Sequence, residues 1–252
     1  HPDGGTTIEA IAPRHSVLKR RSPGKSRGIR PIAANVDQVI VVGAADHPRW
    51  DAHLLDRFLV VAEANHLAAV VVVNKIDLTA DATLLAAPYR AAGYEVIFTS
   101  VPRGDGIVAL RSQLVHRVSL FSGATGVGKS SLLNAVQPGL RLRTGEVSRR
   151  SRAGRHTTTA AEMHPLHAGG FVVDTPGLRD VGVWGIDRAE LVAAFPEFAE
   201  YAPRCRFDNC RHMEEPGCAV AAAAERGEVD GGRLESYRRF VQEVAKAARH
   251  WE

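Results

Sequence analysis

Val118-Ser119-Leu120-Phe121-Ser122-Gly123-Ala124-Thr125-Gly126-Val127-Gly128-Lys129-Ser130-Ser131-Leu132-Leu133 decides how the rest of this chain is read. A short apolar run enters a glycine-rich turn of the form G-x-x-x-x-G-K-[ST], and a helical pattern through Asn134, Ala135 and Val136 leaves it. Strand, loop and helix are the context in which this motif cradles phosphate. The glycines let the backbone curl so that successive N–H groups face an anion, and the N-terminus of the following helix adds its positive dipole end. Gly123, Ala124, Thr125, Gly126, Val127 and Gly128 are thus expected to wrap a nucleotide's β-phosphate, with Ser131 in the following turn. Lys129 is expected to reach the β- and γ-phosphates, and Ser130 to offer its hydroxyl to Mg²⁺.

Downstream, Phe171-Val172-Val173-Asp174-Thr175-Pro176-Gly177 is a second apolar strand ending in D-x-x-G. In that position Asp174 is expected to hold Mg²⁺ through a water, and the Gly177 N–H to sense the γ-phosphate. Upstream, Val71-Val72-Val73-Asn74-Lys75-Ile76-Asp77 is a buried-type strand followed by N-K-x-D. The Asp77 carboxylate can accept from guanine N1–H and from its exocyclic amine, a pair of donors that adenine lacks, so an adenine would leave a carboxylate unpaired. Asn74 and Lys75 are expected to tie this loop to the phosphate loop. Thr99-Ser100-Val101, after a strand ending at Phe98, is expected to form an accessory loop against guanine O6. Together these motifs call for GTP and GDP as ligands. Their order is unusual, because Asn74 precedes Gly123 by 49 positions. In a doubly wound sheet only the convergence of strand ends matters, so a circular permutation preserves the site.

Apolar β-branched runs at Val39 to Val42, Val70 to Val73, Val96 to Phe98, Val118 to Phe121 and Phe171 to Val173 alternate with helical patterns. This predicts an α/β fold, a mostly parallel sheet covered on both faces. Asp51 to Asn65 carries Leu54, Leu55, Phe58, Leu59, Val61 and Ala62 at helical spacing and is expected to be the first crossover helix. The 252 residues exceed a minimal nucleotide-binding domain. Residues 1–34 read as a small β unit, 35–185 as the nucleotide-binding domain, and 186–252 as a mainly helical unit with helices near Ala189 to Ala202 and Gly232 to Trp251.

The hydrophobic fraction is 45% and the charged fraction 24%, as in an ordinary globular protein. No run approaches the roughly 20 apolar residues of a membrane span, and the start lacks a signal-peptide core, so the expectation is a cytoplasmic monomer with no membrane partner. The formal net charge is +4. Arg14, Lys19, Arg20, Arg21, Lys25, Arg27 and Arg30 form one basic run, and Arg141, Arg143, Arg149, Arg150, Arg152 and Arg155 a second. Two basic runs flanking a nucleotide site point to RNA. The three cysteines crowd into one stretch, where Cys205, Cys210, His212 and Cys218 form C-x₄-C-x-H-x₅-C. Three thiolates and an imidazole make a closed tetrahedral set for one structural Zn²⁺.

The order N-K-I-D, G-x-x-G-x-G-K-S-S, Gly154-Arg155-His156-Thr157-Thr158-Thr159, D-T-P-G and C-x₄-C-x-H-x₅-C resembles the RsgA (YjeQ) family of bacterial ribosome-biogenesis GTPases, from about Ile8 to the C-terminal helix. The resemblance implies an N-terminal OB-fold, a permuted GTPase domain and a C-terminal zinc domain. It also implies binding to 16S rRNA and action on the 30S subunit late in its maturation, with the subunit stimulating GTP hydrolysis. Residues before Pro31 can supply about two of an OB-fold's five strands, so this barrel is expected to be partial and cut short at its N-terminus. The resemblance makes Gly154 to Thr159 the first switch, with Thr157 or Thr158 completing the Mg²⁺ shell. Leu178 stands where Ras-like enzymes place a water-orienting glutamine, and the resemblance carries that role onto His156. A nucleotide-gated RNA-binding switch on another RNA, hydrolysing GTP only incidentally, is the alternative that the missing glutamine keeps open.

Overall fold

The computed structural model describes residues 10–11, 13–21, 29–140, 162–174, 183 and 186–249. The chain opens with β1 (Val17–Arg21) and β2 (Ile29–Ala34), an antiparallel pair with a register shift between Leu18 and Lys19. Asn35 ties the end of β2 back to the segment that leads into β1. Its backbone is left-handed at φ 57°, its side-chain oxygen accepts from His15 N at 2.9 Å, and its amide donates to Pro13 O at 3.1 Å. A short polar side chain that bonds locally is the kind tolerated in that conformation.

Next come β3 (Gln38–Ala44), α1 (Ala52–Glu63), β4 (Ala68–Asn74), α2 (Thr83–Ala91), β5 (Glu95–Thr99), α3 (Ile107–Leu114), β6 (Val118–Ser122) and α4 (Lys129–Val136). After β7 (Glu162–Pro165) and β8 (Phe171–Asp174), only helical segments follow among the described residues: α5 (Arg188–Ala193), α6 (Ala219–Glu225) and α7 (Gly231–Arg249). The six strands of the main sheet lie in the order β5-β4-β3-β6-β8-β7. All neighbours are parallel except β7, which pairs antiparallel with β8 at the edge.

Period-two alternation divides the sheet residues between two cores. Val39, Val41, Val71 and Val73 face α1 and α2, meeting Leu55, Phe58, Leu59 and Tyr89. Ile40, Val42, Val70, Val72 and Phe121 face α3 and α4, meeting Leu110, Leu114, Leu132 and Leu133. Strands buried on both faces explain why β3 and β4 are nearly continuous valine and isoleucine. Helix α1 starts where Asp51 in extended conformation accepts Leu54 N at 3.0 Å, a cap that contributes about 1 kcal/mol. After β3 the chain turns to one face through α1, and after β6 it turns to the other through α4. The crevice between β3 and β6 is therefore the topological switch point, at the carboxyl ends of the strands, where open α/β sheets bind ligands.

A third core gathers Phe195, Phe198, Tyr237 and Phe240 with Cys210 and Cys218, and Val60 of α1 is buried in it. The helix expected over Ala189 to Ala202 is shorter: α5 stops at Ala193, and the chain continues as 3₁₀ turns at Pro196–Phe198 and Ala202–Arg204. Pro196 lacks the N–H that another α-turn would need, and Pro203 repeats the interruption. No described helix is long and apolar enough to cross a membrane.

Candidate functional site

Two loops far apart in sequence meet at the switch point. Asn74, the last residue of β4, donates from Nδ2 to Val127 O at 2.8 Å and accepts at Oδ1 from Thr99 Oγ1 at 3.0 Å. Lys75, left-handed at φ 60°, donates from Nζ to Gly126 O at 2.7 Å and also to His47 O. The ends of β4 and β5 are thus bonded to the loop after β6 and to the loop after β3. Gly128 sits against this clamp at φ 99°, and a Cβ there would run into the Asn74 amide. Gly123, at φ 141°, passes as close to Val42 O. A side chain at Gly128 would push the two loops apart and one at Gly123 would push the phosphate loop off β3, so the motif glycines serve the packing of the loop as well as its curl.

Asp77 lies in the short turn after β4, where Ser100 Oγ donates to its Oδ1 at 2.5 Å. That hydrogen bond holds the Asp77 carboxyl below the usual aspartate range, so it is ionised at neutral pH and acts purely as an acceptor. Ser100 also donates its backbone N–H to Asp105 O at 3.1 Å, and Thr99 is fully buried with its hydroxyl on Asn74. Both residues therefore brace the loop with the donors expected to face a base. Along the chain the following N–H belongs to Val101, the third residue of the expected accessory loop.

In the phosphate-type loop Lys129 folds back, donating from Nζ to Gly123 O at 2.8 Å and to Ala124 O at 2.9 Å. Ser130 and Ser131 occupy the first turn of α4. Ala124 and Val127 form one wall of a crevice of about 130 Å³ whose other wall is the end of β3, Pro48 to Asp51, and Leu54, Leu55 and Phe58 of α1. β8 ends at Asp174 beside Phe121, so its terminus reaches the same edge of the sheet as the loop entered from β6. Thr125 and Gly126 complete the turn. His156, Thr157, Thr158 and Gly177 lie outside the described residues, as does the whole of the second basic run.

The four residues of the cysteine cluster come together. One donor atom from each of Cys205, Cys210, His212 and Cys218 lies within 4.8 Å of all the others. His212 Nδ1 is 3.6 Å from Cys205 Sγ and 3.5 Å from Cys218 Sγ. Bond lengths of about 2.3 Å to sulfur and about 2.0–2.1 Å to nitrogen give a tetrahedral N···S edge of about 3.5 Å, so the set fits a metal ion. Backbone N–H groups already point at the sulfurs: Ala219 N is 3.3 Å from Cys205 Sγ, and Ala221 N is 3.4 Å from Cys218 Sγ. Burial pushes the Cys210 thiol up to about 12, so a cation is what would bring it to the thiolate form. Glu215, which no motif singles out, organises the turn. Its carboxylate takes Arg211 N at 3.2 Å and Met213 N at 2.9 Å, and these bonds outweigh burial to hold it at about 2. Helix α7 braces the same turn, Tyr237 Oη donating to Arg211 O and Arg238 Nε to His212 O, each at 3.1 Å.

A parallel sheet with a glycine-rich loop after one inner strand, clamped to an N-K-x-D loop that precedes it in sequence, defines a circularly permuted P-loop GTPase. The sequence model of the RsgA GTPase family matches residues 11–184, and the chain belongs to that family. The small ribosomal subunit biogenesis GTPase RsgA of Gemmatimonas aurantiaca is 52% identical over 239 residues, covering 94% of this chain and 78% of that protein. Among solved structures, YjeQ from Thermotoga maritima aligns with a TM-score of 0.77 at 37% identity, over 94% of this chain and 78% of that one. YloQ, described as a circularly permuted GTPase, aligns with a TM-score of 0.73 at 33% identity, over 94% and 74%.

Proposed function

We propose that this chain hydrolyses GTP to GDP and phosphate in the maturation of the small ribosomal subunit, as the names of its relatives say of them. The observation that carries the proposal is the clamp from Asn74 and Lys75 to Val127 and Gly126, because it sets a base-reading loop beside a phosphate-binding loop. Asp77 accepts from guanine N1–H and the 2-amino group. The Val101 N–H donates to O6, since Thr99 and Ser100 are committed elsewhere. Backbone N–H groups of Gly123 to Ser131 receive the phosphates, and Lys129 exchanges its two carbonyl acceptors for phosphate oxygens.

Ser130 and Asp174 would hold Mg²⁺, with Thr157 or Thr158, and a bound Mg²⁺ neutralises charge on the β- and γ-oxygens. His156 positions the attacking water, and Gly177 reads the γ-phosphate. Cys205, Cys210, His212 and Cys218 would hold one structural Zn²⁺, whose binding orders loops with little core of their own. The domain plan that goes with this is a leading β unit over 1–34, the permuted GTPase domain over 35–185 and the zinc-binding unit over 186–252. The chain acts as a cytoplasmic monomer on 16S rRNA within the 30S particle, through its arginine-rich surfaces.

The test is GTP turnover measured with and without purified small subunits at fixed salt. Stimulation by the 30S particle is expected; turnover indifferent to it would overturn the assignment. Sedimentation with subunits in GDP and in a non-hydrolysable GTP analogue should show a nucleotide-dependent difference in binding.

A further inference from the structure

Arg49 lies on the loop between β3 and α1, and the structure holds its backbone from both sides. Pro48 abuts the phosphate loop, where a Cβ on Gly126 would come within 3.6 Å of Pro48 Cδ. Trp50 lies under β3, where Gly43 leaves the space its ring occupies. Lys75 bonds His47 O one residue further back. Arg49 thus has a fixed root beside the phosphate loop, where it lines one crevice together with Ala124 and Val127.

The side chain is exposed, and among the described residues its guanidinium takes part in no hydrogen bond, ion pair or ring contact. The neighbouring carboxylates are engaged elsewhere. Asp46 lies 3.2 Å from His47 Nδ1, and Asp51 caps α1. A cation rooted beside the phosphate loop, and unpaired among the described residues although two carboxylates flank it in sequence, is suited to an anion that arrives from outside.

We propose that Arg49 is a catalytic residue supplied in cis, its guanidinium donating to the terminal phosphate of bound GTP as charge builds there. This rests on the guanine-nucleotide reading above. In the reaction the water oxygen bonds to the terminal phosphorus as the bond to the β–γ bridging oxygen breaks. That electron pair stays on the GDP oxygen, and the water proton ends on the released phosphate. Arg49 transfers nothing; it stabilises the oxygens in flight, the office a positioned arginine performs in phosphoryl transfer.

The test compares wild type, Arg49→Gln and Arg49→Lys by single-turnover GTP hydrolysis, GDP affinity, thermal melting and sedimentation with small subunits. Loss of one such donor is expected to slow hydrolysis about a hundredfold. GDP affinity should stay within about twofold and melting unchanged, with Arg49→Lys intermediate because it keeps charge but loses the planar fork. Unchanged hydrolysis in Arg49→Gln overturns the proposal. Equal weakening of GDP and GTP with an unchanged hydrolysis rate does so too, since that is uniform binding. Weaker subunit binding at an unchanged rate would place Arg49 on the ribosome instead and overturn it as well. A wild-type chain that bound no guanine nucleotide would remove the nucleotide reading itself, and this proposal with it.

Discussion

Asn74 shows how much of the site is decided by single side chains. Its amide is held on Val127 O and its oxygen is taken by Thr99, so every group it brings to the loop is used within the protein. Asp77 is different: Ser100 occupies one oxygen and leaves acceptor capacity for a ligand. Asp77→Asn is expected to weaken guanine nucleotides by about a hundredfold or more and to improve binding of xanthine nucleotides, whose C2 carbonyl can accept from the new amide. Competition binding with GTP and XTP checks this. The Ser100 hydrogen bond lowers the Asp77 pKa from 3.8, so its contribution to stability is present in full above that value. It is lost only as pH falls through the lowered folded value. Guanine affinity should therefore show no Asp77-linked change between about pH 8 and pH 5.5, read by calorimetric titration. At this scale the motif residues are legible in the sequence, because N-K-x-D and G-x-x-x-x-G-K-S specify side chains at fixed spacing. His47, Arg49 and Glu215 are not, since each acts through a backbone atom, or through a place in space that no spacing rule encodes.

Among the elements, α1 and α7 carry the most consequential contact. Arg233 of α7, 2% exposed, pairs with Asp56 of α1 at 2.7 Å and with Glu197 at 2.7 Å, and lies over the rings of Phe195, Tyr89 and Tyr94. Burial opposes charge on both Asp56 and Arg233. The two carboxylates keep Arg233 firmly protonated, while Asp56 remains above its usual range because Arg233 offsets only part of its desolvation. Removing one partner of such a group leaves an uncompensated buried charge, so Arg233→Ala should destabilise the protein by about 3–5 kcal/mol in urea unfolding. Arg239→Ala, which breaks a solvent-exposed pair with Glu235, should change little. Cys210→Ala is expected to abolish stoichiometric zinc by elemental analysis and to lower the melting temperature, because α7 leans on the turn this metal would order. The inner strands are readable as valine-rich runs because they are buried on both faces. β7 is not: Glu-Met-His-Pro at a sheet edge carries neither an apolar run nor alternation, and its antiparallel pairing with β8 is set by the intervening turn. The break in the helix after Ala193 escapes a reading by periodicity because apolar spacing continues past Pro196, whose missing N–H interrupts the helix all the same.

For the whole molecule, the permutation decides when along the chain the middle of the sheet is completed. β3, near the start of the chain, is flanked by β4 on one side and β6 on the other, so it cannot complete its hydrogen bonding until β6 exists. A fragment ending at His116 would leave a long, flat, valine-rich edge unpaired, and such edges template aggregation. That fragment is expected to self-associate in sedimentation velocity, whereas the chain extended through Asp174 should not. The same geometry acts on the nascent chain. β3 ends at Ala44 and β6 begins at Val118, roughly 75 residues later, so at about 5–20 residues per second the central edge stays open for about 4–15 s of synthesis. Chaperone demand during translation should therefore peak before the phosphate loop emerges and fall as β6 docks, a cost of vectorial synthesis that an unpermuted gene order, with that strand made first, would distribute differently.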